Sequence, residues 1–268
     1  MKIIRYQDTR GQIRYGYDDN GTYRVLEGDI FGDLSPTEEA CDIAKLLAPV
    51  APKVILGIGL NYRQHAIETG APIPQNPILF LKSPGALCHP NDAIQIPRHL
   101  RSDQIDYECE LAVVIGKSGK NIRREDALNH VLGYCCANDV SARDWQKEPA
   151  KSGSQWCRAK TFDTFAPLGP CLVTTDEIAN PNALQIKTIL NSEVVQDWNT
   201  NDMIFDVPHL IEFLSGSTTL EAGSVILTGT PQGVGMARTP PLWMKNGDTV
   251  SIEIEGIGTL TNPVVDEI

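Results

Sequence analysis

The chain has 268 residues, of which 41% are hydrophobic and 21% are charged, so it can bury a full core and needs no disorder. Its 23 basic and 34 acidic residues give a formal net charge of −11, which repels nucleic acids and anionic membrane surfaces. A small anionic substrate remains compatible, because a bound divalent cation with a few Lys or Arg side chains reverses the field locally.

The apolar segments are short. The run from Leu111 to Ile115 is far below the ~20 residues that cross a bilayer, and the start from Met1 to Tyr6 is typical of a strand rather than of a signal peptide. The seven cysteines form an odd number and show no zinc-ligand spacing. We therefore expect a cytoplasmic protein with reduced thiols, and neither a membrane nor a nucleic acid as partner.

The first part of the chain alternates short strand-like segments with turn signals at Asp19 to Gly21 and at Glu27 to Asp29. The stretch from Leu47 to Pro52, with two prolines, indicates a junction. No later interruption is strong enough to mark another boundary. We predict a small N-terminal β unit over residues 1–52 and one main domain over residues 53–268.

The main domain is rich in strand-like segments. Apolar, β-branched runs recur between Gly and Pro residues at Val54 to Leu56, Ile78 to Phe80, Leu111 to Ile115, Ser224 to Leu227 and Val250 to Ile254. Helical patterns are fewer: after Asn61, from Arg124 to His130, and from Val207 to Leu214 after an Asp206 N-cap. Because helices and strands do not alternate strictly, the pattern favours a sheet-rich α+β fold, a rolled sheet or sandwich with few short helices, over a doubly wound sheet.

Three acidic residues, Asp106, Glu108 and Glu110, alternate with other residues, and a strand places such positions on one face. The chain continues into the apolar run Leu111 to Ile115, so the acids lie at the mouth of a buried strand. Like charges at this spacing repel unless protonated or bridged by a cation, and oxygen ligands suit Mg²⁺, Mn²⁺ or Ca²⁺. An acidic edge strand gives the same pattern. Asp139 ends another apolar segment and is a candidate third ligand.

A possible base lies upstream. His65 and Glu68 are three apart in a helix-like run, where a carboxylate would fix the imidazole tautomer and raise its basicity, as a general base for water requires. The same spacing is also common in surface contacts. The nearby Gly57 and Gly59 do not form a dinucleotide-binding loop, because Tyr62 stands where the third glycine is needed.

Other segments offer polar groups whose roles the residues alone leave open. Arg143 and Gln146 are three apart, on one face of a short helix or simply at a capped helix start. The segment Thr228 to Gly235 lacks the Lys of a P-loop, so its glycines allow close approach to a ligand or form a tight turn. Lys82 and Lys160 lie among apolar residues, and either could stabilise a developing enolate.

Five motifs, taken in order, resemble the fumarylacetoacetate hydrolase family over about Val54 to Val264. They are G-L-N-Y-R-Q-H-A-I-E, D-Y-E-C-E-L-A-V-V-I-G, N-D-V-S-A-R-D-W-Q, A-K-T-F-D-T-F-A-P-L-G-P and T-G-T-P-Q-G-V-G. The resemblance implies a mixed β-sandwich roll that forms a homodimer. It also implies a divalent metal held by Glu108, Glu110 and Asp139, with Asp106 as a neighbour. The expected ion is Mg²⁺ or Mn²⁺, with Ca²⁺ as a structural substitute.

The resemblance further implies catalytic roles for His65, Glu68 and Lys160. It implies substrate contacts at Lys82, Arg143, Gln146 and Thr230. Two positions depart from the family pattern. Leu60 stands where many relatives have Arg, which removes one partner for a substrate carboxylate, and Ala159 replaces a Gly before the lysine.

We therefore predict a metal-dependent enzyme that acts on a small anionic 2-oxo acid. The first hypothesis is hydrolysis of the C–C bond of a 2,4-dioxo acid, an acylpyruvate or fumarylpyruvate, by water that His65 activates with Glu68 as its partner. The alternative is enol–keto tautomerisation or decarboxylation of oxaloacetate, which needs no hydrolytic water. A second alternative is a metal-binding scaffold without catalysis, which the intact His65, Glu68 and Lys160 disfavour.

Overall fold

The structure is a computed structural model that describes residues 1–153 and 155–268. The strands are β1 (Lys2–Asp8), β2 (Ile13–Asp19), β3 (Thr22–Gly28), β4 (Leu34–Ala40), β5 (Ile43–Leu47), β6 (Ile55–Gly59), β7 (Ile78–Lys82), β8 (Leu87–Cys88), β9 (Ile94–Ile96), β10 (Ile105–Asp106), β11 (Cys109–Ile115), β12 (Gly119–Lys120), β13 (Val131–Asn138), β14 (Ser141–Ala142), β15 (Ala166–Thr174), β16 (Gln185–Leu190), β17 (Glu193–Asn199), β18 (Thr219–Leu220), β19 (Val225–Leu227), β20 (Thr249–Ile254) and β21 (Gly258–Asp266).

The helices are short. They are α1 (Arg63–Thr69), α2 (Arg143–Lys147), α3 (Pro149–Ser152), α4 (Trp156–Lys160) and α5 (Val207–Ser215), with 3₁₀ turns at Pro84–Ala86, Arg124–His130, Thr200–Asp202 and Gly235–Ala237. Asp206 caps α5 as predicted, since its side chain accepts a hydrogen bond from the backbone N–H of His209 at 2.9 Å. No helix in the part of the chain described here is long and apolar enough to cross a membrane.

Two sheets enclose the core. The larger has twelve strands with the main order β4-β3-β2-β1-β15-β13-β11-β19-β6-β7, and the other has the order β17-β16-β20-β21-β9. Most pairs are antiparallel, but β6 with β19, β8 with β15 and β9 with β21 are parallel. The smaller sheet packs on β11, β13 and β15. The prediction of a sheet-rich, mixed α+β fold with few short helices is confirmed.

The strand β11 lies near the middle of the larger sheet and is buried along its whole length. It pairs with β13 on one side and with β19 on the other. An apolar, β-branched run that is covered on both faces explains why this segment shows no alternation of polar residues after Glu110. The site described below is built where β11 begins and β13 ends.

The N-terminal strands extend the larger sheet. The strand β1 pairs with β2 and β5, and through Lys2 and Ile3 it also pairs with β15 of the main body. Ile3, Ile4 and Tyr6 are buried in the common hydrophobic core. The first strands therefore share both a sheet and a core with the rest of the chain. The division into two domains at residue 52 stays a prediction.

Candidate metal centre and active site

Three buried carboxylates meet at the mouth of β11. Glu108 and Glu110 lie on one face because residues two apart in a strand point the same way. The antiparallel register pairs Cys109 with Asn138, which brings Asp139, just after β13, beside Glu108. The backbone N–H of Asp139 donates to the carbonyl of Glu108 at 3.0 Å. One oxygen from each carboxylate lies within 4.8 Å of the others, so the register creates a three-carboxylate cluster.

Cationic side chains hold two of these carboxylates. Lys160 donates to Glu108 Oε2 at 2.6 Å and to Asp139 Oδ2 at 2.5 Å. Arg143 donates to Glu108 Oε1 at 2.6 Å. Lys82 donates to Asp139 Oδ1 at 2.5 Å and to the carbonyl of Val140 at 3.1 Å. Each of these cations is almost completely buried, so the pairs are far less screened than surface ion pairs.

Glu110 differs from the other two acids, because no cationic side chain in residues 1–153 and 155–268 lies within ion-pair distance of it. It accepts one hydrogen bond from the backbone N–H of Gly229 at 2.8 Å. Burial raises the pKa of Glu110 well above its usual range, and the charges of Asp139 and Glu108 raise it further. Burial also raises the pKa of Glu108, but Arg143 and Lys160 outweigh it and hold that pKa below its usual value.

The cluster suits a divalent cation. Together with Asp106, four carboxylates face three cations, so one negative charge is unbalanced when all are ionised. A divalent ion beside Glu110 would supply the charge that this side chain lacks, and an all-oxygen donor set is the kind that Mg²⁺ and Mn²⁺ prefer. The residues present therefore fit the predicted metal.

Asp106 lies next to this centre and fixes Arg143. It accepts from Arg143 Nε at 2.8 Å and from the backbone N–H groups of Gly235 at 2.7 Å and Met236 at 3.1 Å. Arg143 in turn donates to Gln146 Oε1 at 2.9 Å, so the two residues three apart do contact on α2. Asp106 thus orients a guanidinium instead of joining the carboxylate cluster.

The imidazole and carboxylate of α1 also contact. His65 Nδ1 lies 2.9 Å from Glu68 Oε1, and the other oxygen of Glu68 accepts from the backbone N–H of Gly233 at 2.8 Å. Since a carboxylate accepts hydrogen bonds, this pairing places the proton on Nδ1 and leaves Nε2 with its lone pair. The backbone of Gly233 has a φ of +98°, where a side chain would be strained, so this glycine allows the anchoring turn.

A cavity of about 470 Å³ brings these groups together. Eight of the ten predicted site residues line it, namely His65, Glu108, Glu110, Asp139, Arg143, Gln146, Lys160 and Thr230. Glu68 lies behind His65. Lys82 is not among the lining residues that the structure describes and instead lies behind Asp139. Its predicted contact with substrate stays a prediction, whereas its bond to Asp139 is part of the structure.

Sequence reasoning missed Gln196 on β17. This buried side chain accepts from the backbone N–H of Cys109 at 3.0 Å and from Thr188 Oγ1 at 2.7 Å. Its amide nitrogen donates to Thr230 Oγ1 and to the carbonyl of Pro231, both at 2.9 Å. Gln196 therefore connects Cys109, which lies between Glu108 and Glu110, to the loop that carries Thr230. Nothing in one sequence distinguishes this glutamine from an exposed one.

Asn61 is a second buried group that sequence reasoning did not single out. Its amide nitrogen donates to the carbonyls of Phe205 and Thr228 at 3.0 and 2.7 Å, and its oxygen accepts from the backbone N–H of Phe205 at 2.8 Å. A Cβ at Gly229 would lie 2.6 Å from that of Asn61. The glycine thus allows the close approach that places its N–H on Glu110.

We expect Gln196→Leu to lower the free energy of unfolding by roughly 2–4 kcal/mol, because buried groups left without partners cost about 1–3 kcal/mol each. The N–H of Cys109 and the hydroxyl of Thr230 both lose their partner in this variant. Denaturant unfolding would measure the change. Gln185→Leu, at an exposed position on the neighbouring β16, is the matched control and should stay within about 0.5 kcal/mol. Equal stability of the two variants would contradict the role of Gln196.

Comparison with known proteins agrees with this site. Residues 54–265 match the family described as "Fumarylacetoacetate (FAA) hydrolase C-terminal", and residues 1–49 match the family described as "Rv2993c-like, N-terminal". The chain belongs to the fumarylacetoacetate hydrolase family, and it is an enzyme of that family. The expected resemblance is thereby confirmed.

Named relatives extend over most of the chain. The "Oxaloacetate tautomerase fahd2, mitochondrial" of Xenopus laevis is 51% identical over 82% of this chain and 68% of its own. The "Oxaloacetate tautomerase FAHD2A, mitochondrial" of Homo sapiens is 49% identical over 82% of this chain and 69% of its own. A solved structure described as "5-carboxymethyl-2-hydroxymuconate delta-isomerase from Mycobacterium smegmatis" has a TM-score of 0.85 at 38% identity and covers both chains completely.

These names correct one expectation. We expected a cytoplasmic protein, and that prediction is wrong, since similar proteins from the frog and from man are both named as mitochondrial. The reason for the error is physical. Composition and the length of apolar runs do not distinguish one cellular compartment from another, because the residues that pack a core are the same in each.

Proposed function

We propose that this protein is a divalent-metal-dependent tautomerase that interconverts the enol and keto forms of oxaloacetate. The observation that carries the proposal is one cavity that joins the three-carboxylate cluster to the His65–Glu68 pair and to two buried cations, Arg143 and Lys160. The names of the similar proteins favour this reaction over the C–C hydrolysis that we placed first from the sequence.

In this proposal Glu108, Glu110 and Asp139 would hold Mg²⁺ or Mn²⁺, which when bound would supply Lewis acidity for a 2-oxo acid. The protein residues supply the remaining charge and orientation. Arg143 and Lys160, which are both buried beside the carboxylate cluster, offset the negative charge of the substrate. Two of the three N–H bonds of the Lys160 ammonium bind Glu108 and Asp139, which leaves the third for a substrate oxygen.

The reaction moves one proton and shifts one double bond. In ketonisation the enol oxygen loses its proton and C3 gains one. The free Nε2 of His65 accepts the proton and returns it, while Glu68 stabilises the imidazolium that forms between the two steps. The bond from Gly233 to Glu68 fixes this carboxylate so that the imidazole keeps one orientation.

Hydrolysis of an acylpyruvate is the second candidate, because the same His65–Glu68 pair could activate water in the same cavity. The two reactions differ in their products, since only hydrolysis breaks a C–C bond and consumes water. Decarboxylation of oxaloacetate differs from both, because it releases carbon dioxide. A scaffold without catalysis would have no use for a paired imidazole in the cavity.

A direct assay tests the proposed function. Purified protein with Mg²⁺ or Mn²⁺ should accelerate the loss of the ultraviolet absorbance of enol-oxaloacetate, and chelation should remove that acceleration. Metal should also raise the midpoint of thermal unfolding. At a metal concentration a hundred times the dissociation constant, binding to the native state adds about 2.7 kcal/mol to the free energy of unfolding. Product analysis by NMR separates the candidates. Pyruvate from acetylpyruvate, without effect on enol-oxaloacetate, would replace the tautomerase proposal by the hydrolase.

We also propose that the protein acts as a homodimer on a small anionic 2-oxo acid. The strand β7 ends the main order of the larger sheet and exposes 47% of Leu79 and 45% of Leu81. Exposed apolar side chains on an edge strand offer a surface for a second copy, because two such edges can pair about a two-fold axis. This surface supports the dimer that the family resemblance implies.

A further inference from the structure

The cavity is much larger than oxaloacetate needs. A four-carbon dicarboxylic acid occupies roughly the volume of four molecules of liquid water, about 120 Å³. The cavity measures about 470 Å³, which leaves most of its volume unfilled when one such acid lies on the carboxylate cluster. The unfilled volume has its own lining, and the chemistry of that lining indicates what else can enter.

One side of the cavity is apolar. Its wall is formed by Leu60, Pro72, Pro74, Ile78 and Trp156, which come from the turn after β6, from the segment before and into β7, and from α4. Ile78 is 40% exposed, and Leu60 and Trp156 are half-buried. Covering apolar surface of this kind with a ligand is favourable, because it removes that surface from water.

The apolar wall is continuous with the charged centre. Lys160 Nζ lies 4.9 Å from the centroid of the Phe80 ring, and the rings of Phe80 and Trp156 meet edge to face at 5.8 Å between centroids. Trp156 packs over Gly59, where an added Cβ would lie 2.3 Å from the indole. A molecule that binds Lys160 with its acid group can therefore place an attached ring along Phe80 and Trp156.

The wall carries no cation in the part of the chain that the structure describes. The cations that line the cavity are Arg143, Lys147 and Lys160, all on or next to α2 and α4, and Lys147 is exposed at the rim. Leu60, in a left-handed backbone conformation with φ of +45°, contributes an apolar side chain to this side of the cavity. This side of the cavity therefore favours a hydrocarbon group over a second carboxylate.

From this lining we infer that the enzyme also takes 2-oxo acids that carry an aromatic or hydrocarbon group on C3, and that it tautomerises arylpyruvates such as phenylpyruvate. The inference rests on the proposed function, because the same proton transfer acts on both substrates. In ketonisation of enol-phenylpyruvate the enol oxygen loses a proton and C3 gains one, so no co-reactant is needed. The phenyl ring lies along Phe80 and Trp156 while the acid group binds the charged centre.

The experiment compares two substrates and two variants. Wild-type holoenzyme with Mg²⁺ should accelerate ketonisation of both enol-oxaloacetate and enol-phenylpyruvate. Leu60→Arg should lower the ratio of kcat/KM for phenylpyruvate to kcat/KM for oxaloacetate about tenfold or more, since a pocket contact of this size is worth 10–200-fold. Leu60→Met is the matched control, because it keeps the volume and the apolar character, and it should keep this ratio near the wild-type value.

A second measurement uses only the wild-type enzyme and so does not depend on folding of a variant. Lactate and 3-phenyllactate differ by the phenyl group, and each is measured as a competitor of enol-oxaloacetate. We expect 3-phenyllactate to inhibit at least about tenfold more strongly, because the apolar wall covers its ring.

Three results would overturn the inference. They are equal inhibition by the two acids, equal loss of both activities in Leu60→Arg, or ketonisation of oxaloacetate without any of phenylpyruvate. The last result leaves the proposed function intact, whereas acceleration of neither substrate overturns both.

Discussion

Glu110→Gln is expected to lower kcat/KM for enol-oxaloacetate by at least about 100-fold, because a bound divalent cation contributes several kcal/mol of charge stabilisation. It should also weaken Mn²⁺ binding by more than about tenfold. Mutation of a group that only supports a metal ligand already costs about 10–100-fold in affinity, and loss of the ligand itself costs more. The structure makes this variant a clean test. Glu110 has no cationic partner among the described residues, so the amide leaves no cation unpaired.

In the absence of metal, Glu110→Gln should be at least as stable as the wild type. Burial and the charges of Asp139 and Glu108 raise the pKa of Glu110, and a neutral amide avoids that repulsion. Glu108→Ala would also abolish metal-dependent activity, but it removes one of the two carboxylate partners of buried Arg143 and of buried Lys160, so it also destabilises the fold. Isothermal titration with Mn²⁺, the kinetic assay and thermal unfolding together distinguish loss of metal from loss of fold.

The matched control is Glu212→Gln on α5, an exposed carboxylate that does not line the cavity. It should change neither Mn²⁺ affinity nor turnover. Retention of metal-dependent activity by Glu110→Gln would contradict the three-carboxylate site. Loss of activity in both variants would show instead that the assay reports a general loss of charge.

The carboxylate cluster shows how far the sequence can lead. The alternation of Asp106, Glu108 and Glu110 and their position before a buried run were readable from the residues, because a strand has a fixed period. The place of Asp139 depends on the register between β11 and β13, which is a long-range property. The resemblance to the family implied that Asp139 joins the cluster. The pairing of Cys109 with Asn138 explains physically why Asp139 lies beside Glu108.

Other parts of the site were beyond the sequence because they depend on burial between distant elements. Gln196 and Asn61 are ordinary polar residues until the fold places them opposite Cys109 and Phe205. The sequence shows that Lys82 is an unusual lysine among apolar neighbours, but it does not predict that this side chain binds Asp139. The same holds for the apolar wall of the cavity, which three separate segments build together.

His65→Ala is expected to lower kcat by about 10²- to 10⁴-fold, the range that general acid–base catalysis contributes, and to leave Mn²⁺ affinity unchanged. The imidazole lines the cavity and its recorded side-chain partner is Glu68, so its removal takes away a proton carrier and no predicted metal ligand. His99→Ala, at an exposed histidine, is the matched control and should keep both properties.

Glu68→Gln tests the tautomer on which this role depends. The glutamine can still accept from the backbone N–H of Gly233, and its amide would then donate to Nδ1 of His65. That bond moves the imidazole proton to Nε2 and removes the free lone pair that the reaction needs. We therefore expect Glu68→Gln to lose nearly as much kcat as His65→Ala while it binds Mn²⁺ normally. Full activity in Glu68→Gln, or loss of metal in His65→Ala, would contradict His65 as the base.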